Sequence, residues 1–498
     1  MLKHCFSKQV DTSFLLLTMH FRSTLFFVIH ILSSCLLVSG LTHPIKIQGN
    51  HFIDAITNET FFIKGVDYQP GGSSAVSEES DPLSNPAICA RDIALFQELG
   101  INTVRVYSVN PELDHNACMT MLALADIYLI LDVNSPLPNQ HLNRYEPWTT
   151  YNDQYLQHVF KVIEQFSYYN NTLGFFAGNE VINDGLSAKR SPAYVRSVIN
   201  DMKRYIKKHS PRIIPVGYSA ADDLRYRIPL SYYLGCHDSE KPDSNVDFYG
   251  VNSYQWCGEQ TFSSSGYDQL VAAYRQYSKP VFFSEFGCNN VLPRTFSEVD
   301  ALYSEEMIPV FSGGLVYEFT QEPNNYGLVE VGSGGEVHLL NDFQVLKEKY
   351  GQINSTVLHN LASGNLPNSN LMKRTTSCEN IYENLHTEIN VPDTFAFDLI
   401  EKGVKVRQGK YIDLPSDDLT SKFKVYNTGG DLHEGIKEIK PKKTTDTSTK
   451  PFHENSKPSG AKPNRSVRAF KRKPVLECCF LAYVLLEFTY QVACLIYS

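Results

Sequence analysis

Glu180 closes the run GFFAGNE and Glu285 lies in KPVFFSEFG, and both runs are apolar, aromatic-rich and read as buried strands that end at a carboxylate. Two carboxyl groups across a cleft are the equipment of glycosidic bond cleavage. One donates a proton to the leaving oxygen, and the other, if about 5 to 5.5 Å away, attacks the anomeric carbon. The residue before the first glutamate is Asn179, whose amide suits the sugar 2-hydroxyl, a contact that strengthens in the transition state. Tyr254 and Arg105, each in another apolar run, can support a nucleophilic Glu285 carboxylate by a hydrogen bond and by charge. Tyr107, Tyr317 and Tyr326, with Gln69, Asp132 and Asn134, fall at or just after strand ends and would make an uncharged, aromatic cleft for a glucan.

Such side chains need a scaffold that brings strand ends to one mouth. Eight apolar runs read as strands: 61–68, 103–108, 127–133, 173–179, 213–219, 247–254, 280–286 and 314–320. Between them lie helical patterns, among them PAICARDIALFQELG, with Pro86 at its start and Gly100 at its stop. DQYLQHVFKVIEQFSYY and SPAYVRSVINDMKRYIKKH are two more. Eight strands alternating with amphipathic helices predict an α/β fold, a (β/α)8 TIM barrel over 41–350, with chemistry at the carboxyl ends of the strands.

The chain of 498 residues, 42% apolar, is long enough for that barrel plus extensions. A net charge of −9 argues against nucleic acid as a partner, since a polyanion selects a basic surface. Ser23–Gly40 is an apolar run after Arg22 that ends in Val38-Ser39-Gly40, which predicts a signal peptide over 1–40, with Met19 as an alternative start. In an exported chain the six cysteines of the mature region, Cys89, Cys118, Cys236, Cys257, Cys288 and Cys378, predict three disulfides that spacing alone does not assign. No metal site and no cofactor are expected, because these cysteines form no CxxC pair and no cluster with histidine. Sequons at Asn58, Asn170, Asn354 and Asn464 agree with secretion.

Residues 351–440 read as a linker and a small β subdomain, with β-like runs in TFAFDLIEKGVKV and SKFKVYNTGG. Residues 441–474 are rich in Lys, Pro, Ser and Thr, a composition that does not order itself. The apolar tail 475–498, preceded by Ser459-Gly460-Ala461 and a polar spacer, resembles a glycosylphosphatidylinositol attachment signal, with a retained membrane helix as the alternative.

YQPGG (68–72), NTVRVYSVNP (102–111), LILDVNSP (129–136), FFAGNEV (175–181), GVNSYQWCG (250–258), FFSEFGC (282–288) and GGLVYEFTQEPNNYGLV (313–329) resemble the fungal β-1,3-glucanosyltransferases of the Gas/Gel/Phr type. The resemblance runs from about residue 44 to 350 and more weakly to about 440. It implies an enzyme that elongates glucan in the cell wall; the chain is expected to be a monomer, secreted or at the cell surface, with the tail signal giving a glycolipid anchor at the membrane. Such an enzyme cleaves an internal bond of a donor β-1,3-glucan and passes the new reducing end to the non-reducing end of an acceptor glucan. It further implies Glu180 as acid/base and Glu285 as nucleophile, with Tyr107, Asn179 and Tyr254 at the donor sugar. The pairings it implies are Cys89 with Cys118, Cys257 with Cys288, and Cys236 with Cys378. Many members carry a cysteine-rich carbohydrate-binding module; only Cys378 lies between the barrel and the tail, so the subfamily without it is expected. A secreted endo-β-1,3-glucanase and a non-catalytic glucan-binding protein of the cell wall are the competing readings.

Overall fold

Eight parallel strands close on themselves in a computed structural model that describes residues 42–442, apart from 73–74, 355–357, 359–375, 380, 388–389 and 436. The expected signal segment, Asn464, the apolar tail and nearly all of the polar segment before it lie outside the described residues. In chain order the strands are β1 (Ile45–Gln48), β2 (His51–Asp54), β3 (Thr60–Phe61), β4 (Ile63–Asp67), β5 (Thr103–Val106), β6 (Tyr128–Asp132), β7 (Thr172–Asn179), β8 (Val216–Ala220), β9 (Phe248–Ser253), β10 (Val281–Phe286), β11 (Phe311–Val316), β12 (Val329–Val331), β13 (Val337–Leu339) and β14 (Val425–Tyr426). Strands β4 to β11 form the barrel, with β11 pairing back onto β4. All eight overlap the runs expected from the sequence. The last begins at Phe311 rather than 314, because Gly313 and Gly314, which weaken a strand pattern, let β11 approach β4 and β10 closely. A Cβ at Gly313 would lie 2.0 Å from the Ile63 carbonyl oxygen.

Helices cover the barrel as their patterns predict. The helix Pro86–Leu99 starts at Asn85, whose side-chain oxygen accepts from the Ala87 and Ile88 N–H groups, and ends at Gly100 with φ of 74°. Asp153–Phe166 is capped in the same way by Asn152, and Pro192–His209 follows directly on Ser191. Three disulfides form, Cys89–Cys118 between two covering helices, Cys236–Cys378 from a helix end to the segment after the barrel, and Cys257–Cys288 between the segments that follow β9 and β10.

The antiparallel sheet β1-β2-β3 is an element the sequence reading does not contain. Ile45 and Phe52 from it pack with Ile63, Leu173, Phe248 and Phe282, which lie at or near the starts of barrel strands, so this sheet plugs the amino-terminal end. The plugged end is dry and apolar. The open end is left for chemistry.

Residues 377–442 run as a belt over the covering helices, and β14 forms inside SKFKVYNTGG, one of the two runs expected to be β-like. Gly409 donates to the Gln165 carbonyl, Ile412 to Thr120 Oγ1, and β14 adds one strand to the β12-β13 sheet. Within the other run expected to be β-like, Phe397–Lys402 is helical, with an Asp398–Lys402 pair at i, i+4 and Gly403 at its end.

The barrel interior is filled by large rings opposite glycines. Gly217 pairs with Phe248 in the β8-β9 register, and a Cβ there would lie 2.2 Å from the Phe248 ring. Gly217→Ala is therefore expected to lower stability by about 1–3 kcal/mol through overpacking. A urea midpoint equal to that of the parent would show that the ring has room to turn.

Candidate active site

The open end gathers the side chains singled out in the sequence. Glu180 follows the last residue of β7 with φ of 50°, a left-handed value that takes the chain out of the strand at that point, while its N–H stays bonded to the Ser219 carbonyl. Glu285 lies within β10 and is 7% exposed.

Three donors converge on Glu285. Tyr107 OH donates to Oε1 at 2.8 Å, Arg105 Nη1 to the same oxygen at 3.2 Å, and Tyr254 OH to Oε2 at 2.7 Å. Every one favours the ionised form. Burial opposes them, and the Arg105 charge, the Glu180 charge and the two tyrosine hydrogen bonds act in addition; the result is a carboxyl pushed up to about 7. The charge on Glu180 is thus felt at Glu285 as well.

Glu180 has a different neighbour. Asn252 Nδ2 donates to Glu180 Oε1 at 2.8 Å. Its own Oδ1 accepts from Ser219 Oγ at 3.2 Å and Ser284 Oγ at 2.8 Å, which fixes the amide orientation. Asn252 was not singled out in the sequence; the available signal was a buried amide at the end of the otherwise apolar run FYGVNS.

Arg105 is fully buried and its fork is filled: Nε and Nη2 bond both oxygens of Asp132 at 3.0 and 2.9 Å, and Nη1 reaches Glu285. Its guanidinium lies 4.2 Å from the Tyr107 ring centroid and 4.8 Å from that of Phe176. Burial pulls its pKa down, but Asp132, with Tyr107 and Glu285, holds it above its ordinary value.

The remaining sequence candidates divide into two groups. Gln69, Asp132 and Asn134 have their polar atoms engaged by the protein. Gln69 Oε1 accepts from the Tyr107 and Ser108 N–H groups, and Asn134 bonds the Ala177 carbonyl and Tyr155 OH. Tyr107, Tyr254, Tyr317 and Tyr326 form a wall of edge-packed rings, with centroids 5.2 Å apart for Tyr317 and Tyr326 and 5.6 Å for Tyr254 and Tyr326. Arg294, which the sequence did not flag, clamps this wall by donating to the Tyr317 carbonyl at 2.9 Å and the Tyr326 carbonyl at 2.6 Å. Two further buried carboxyls also escaped notice. Asp67 is fully buried with neither carboxyl oxygen bonded, and burial drives its pKa well up; Glu318 is pushed up to about 7, again first by burial.

An open groove of about 630 Å³ begins at Tyr107, Asp132, Asn134 and Asn179 and runs over the loop after β6 to Tyr145. Among the described residues no group of three or more His, Cys, Asp or Glu side chains is arranged to hold a metal ion. The site offers a carboxylate with three donors, a second carboxyl with one, and an aromatic, largely uncharged wall.

Residues 35–354 match the model of the family described as Glucanosyltransferase. The chain is 62% identical to 1,3-beta-glucanosyltransferase GAS4 of Saccharomyces cerevisiae over 421 residues, 84% of this chain and 88% of that protein. It is 45% identical to 1,3-beta-glucanosyltransferase gel2 of Aspergillus fumigatus over 403 residues, 79% of this chain and 82% of that one. A solved structure of Saccharomyces cerevisiae Gas2p in complex with laminaripentaose is similar at a TM-score of 0.60 and 39% identity, covering 69% of this chain and 75% of that one.

Removing one donor from Glu285 tests this electrostatic arrangement. Tyr254→Phe loses a charge-assisted hydrogen bond, so the Glu285 pKa is expected to rise by about 1–2 units. Carbon-13 NMR of labelled glutamate across the pH range reads the shift directly, and a titration unchanged from the parent would show that the tyrosine does not stabilise the carboxylate.

Proposed function

The chain belongs to the glucanosyltransferase family, and from that membership we propose how its residues lengthen β-1,3-glucan. The enzyme is a 1,3-β-glucanosyltransferase acting on β-1,3-glucan. In the proposed cycle a donor chain lies across the mouth with its scissile bond between the two glutamates. Glu285 attacks the anomeric carbon while Glu180 passes a proton to the leaving oxygen, and the reducing-end fragment departs. The terminal 3-hydroxyl of an acceptor then takes its place, gives its proton to Glu180 and attacks the glucosyl-Glu285 ester. Two inversions leave the β configuration retained. One glycosidic bond is exchanged for another of the same kind, so the transfer requires no external energy source.

The observation that carries the role assignment is the unequal donor set. Three donors on Glu285 stabilise the negative charge a nucleophile must carry, whereas Glu180 receives one amide and sits half-buried at the strand end, suited to exchanging protons with bound hydroxyls. Asn179 is assigned to the sugar 2-hydroxyl. Gln69 and Asp132 act as positioning residues for Tyr107 and Arg105, and Asn134 lines the groove beside Asn179.

Transfer rather than hydrolysis requires that an acceptor sugar occupy the mouth before water attacks, which is a matter of effective concentration. Tyr317 and Tyr326 are proposed to stack that acceptor. The wider setting is extracellular or at the cell surface, where wall glucan lies. The proposal includes a signal peptide over 1–40, a catalytic barrel over 41–350, an extension over 351–440 and a polar segment over 441–474. It further takes the protein as a monomer whose tail, 475–498, is exchanged for a glycolipid.

With a reduced β-1,3-linked oligosaccharide as the only substrate, the enzyme is expected to give products longer than the starting chain. Glu180→Gln and Glu285→Gln should each slow their formation on the order of 10³-fold. Products that only shorten would point to the endo-glucanase reading. Tyr317→Ala and Tyr326→Ala are expected to lower the ratio of transfer to hydrolysis about threefold to tenfold. An unchanged ratio in both would remove the acceptor role from this wall.

A further inference from the structure

A second polar cavity, of about 410 Å³, lies behind the loop that forms one wall of the groove. Pro136 and His141 of that loop line the groove, whereas Pro138, Asn139 and Gln140 line the cavity. The loop is stiffened by the Ser135 N–H bond to the Gln140 carbonyl at 2.8 Å. The facing wall is one stripe of the helix Asp153–Phe166, with Gln154, Gln157, His158 and Lys161 at i, i+3, i+4 and i+7.

The chemistry of this lining is specific. The side-chain amides of Gln140, Gln154 and Gln157 bond to no other described residue. His158 is 7% exposed and its buried Nε2 has no hydrogen-bond partner. Burial pushes that imidazole down to about 4, and a backbone bond at Val133 engages the ring, so near neutral pH it is uncharged and Nε2 is an acceptor. Lys161 and Glu112 neutralise one another at 2.5 Å. An anion would find its one cation already paired, and an apolar ligand would strand three amides. A neutral chain of hydroxyl groups, each both donor and acceptor, matches three free amides beside an uncharged imidazole.

We propose that this cavity is a non-catalytic β-1,3-glucan site, gripping a stretch of the chain that continues past the groove. The substrate class rests on the reading of the active site above. A glucan long enough to reach both places is held twice, which raises its apparent affinity without new contacts in the groove. A short oligosaccharide gains nothing.

Two sets of changes test this: Gln154→Ala with Gln157→Ala, which removes two of the three free amides, and Gln157→Glu alone, which sets a carboxylate against a neutral sugar. Both sites are exposed, and alanine and glutamate are strong helix formers. Binding is measured calorimetrically in a Glu285→Gln background with a long soluble β-1,3-glucan and with a short β-1,3 oligosaccharide, and transfer on the short oligosaccharide is measured with Glu285 intact. The long glucan is expected to bind about fivefold to thirtyfold more weakly in both variants, with short-chain binding and transfer unchanged. Long-chain affinity equal to the parent's overturns the site. Equal losses on both lengths also overturn it, since they place the effect in the groove. A parent that transfers nothing instead sinks the catalytic reading, while the long-chain titration still reports on the cavity.

Discussion

Arg105 is the interaction on which the site depends. A cation with no exposure inside a barrel is costly unless its charge and its donors are met, and here its fork grips both oxygens of Asp132 while the remaining nitrogen reaches Glu285. Two aromatic faces, Tyr107 and Phe176, close around it. The parallel register makes this arrangement possible, since Arg105 stands level with Asp67 on one side and Ile130 on the other, just below the mouth. Gln69 beneath the Tyr107 backbone and Asn252 beside Glu180 then set the remaining angles. The apolar plug from β1 to β3 closes the far end of the barrel, and the carboxylates gather at the other.

Much of this was legible in the sequence, and for identifiable reasons. The barrel strands are short apolar runs bounded by turn residues, and Glu180 and Glu285 are conspicuous because each interrupts such a run where a strand should end. Arg105, Tyr107 and Tyr254 occupy comparable positions, and the structure brings all of them to one carboxylate. The division of labour was not legible. Gln69, Asp132 and Asn134 look like sugar contacts when only chain position is known, and their engagement by the protein depends on tertiary neighbours up to 43 residues away. Arg294 holds the aromatic wall through backbone carbonyls, and no side-chain pattern announces such a bond. The belt after residue 377 escaped because its order comes from scattered hydrogen bonds to helices, as at Gly409 and Ile412, rather than from a periodic face of its own.

Transfer asks more of a protein than cleavage, because two long polymers must be held in register with one small catalytic centre. The groove and the amide-lined cavity stand on either side of one loop, 134–141, so that a single element would shape both.

The central claim is that Glu285 carries the sugar between the two half-reactions. A β-1,3-oligosaccharyl fluoride needs no proton for departure, so Glu180→Gln should still form the ester and be slow to resolve it for want of a base. Peptide mass spectrometry after a brief incubation is expected to find the glucosyl adduct on Glu285. An adduct on another residue, or turnover to an inverted product with Glu285 unmodified, would contradict the mechanism.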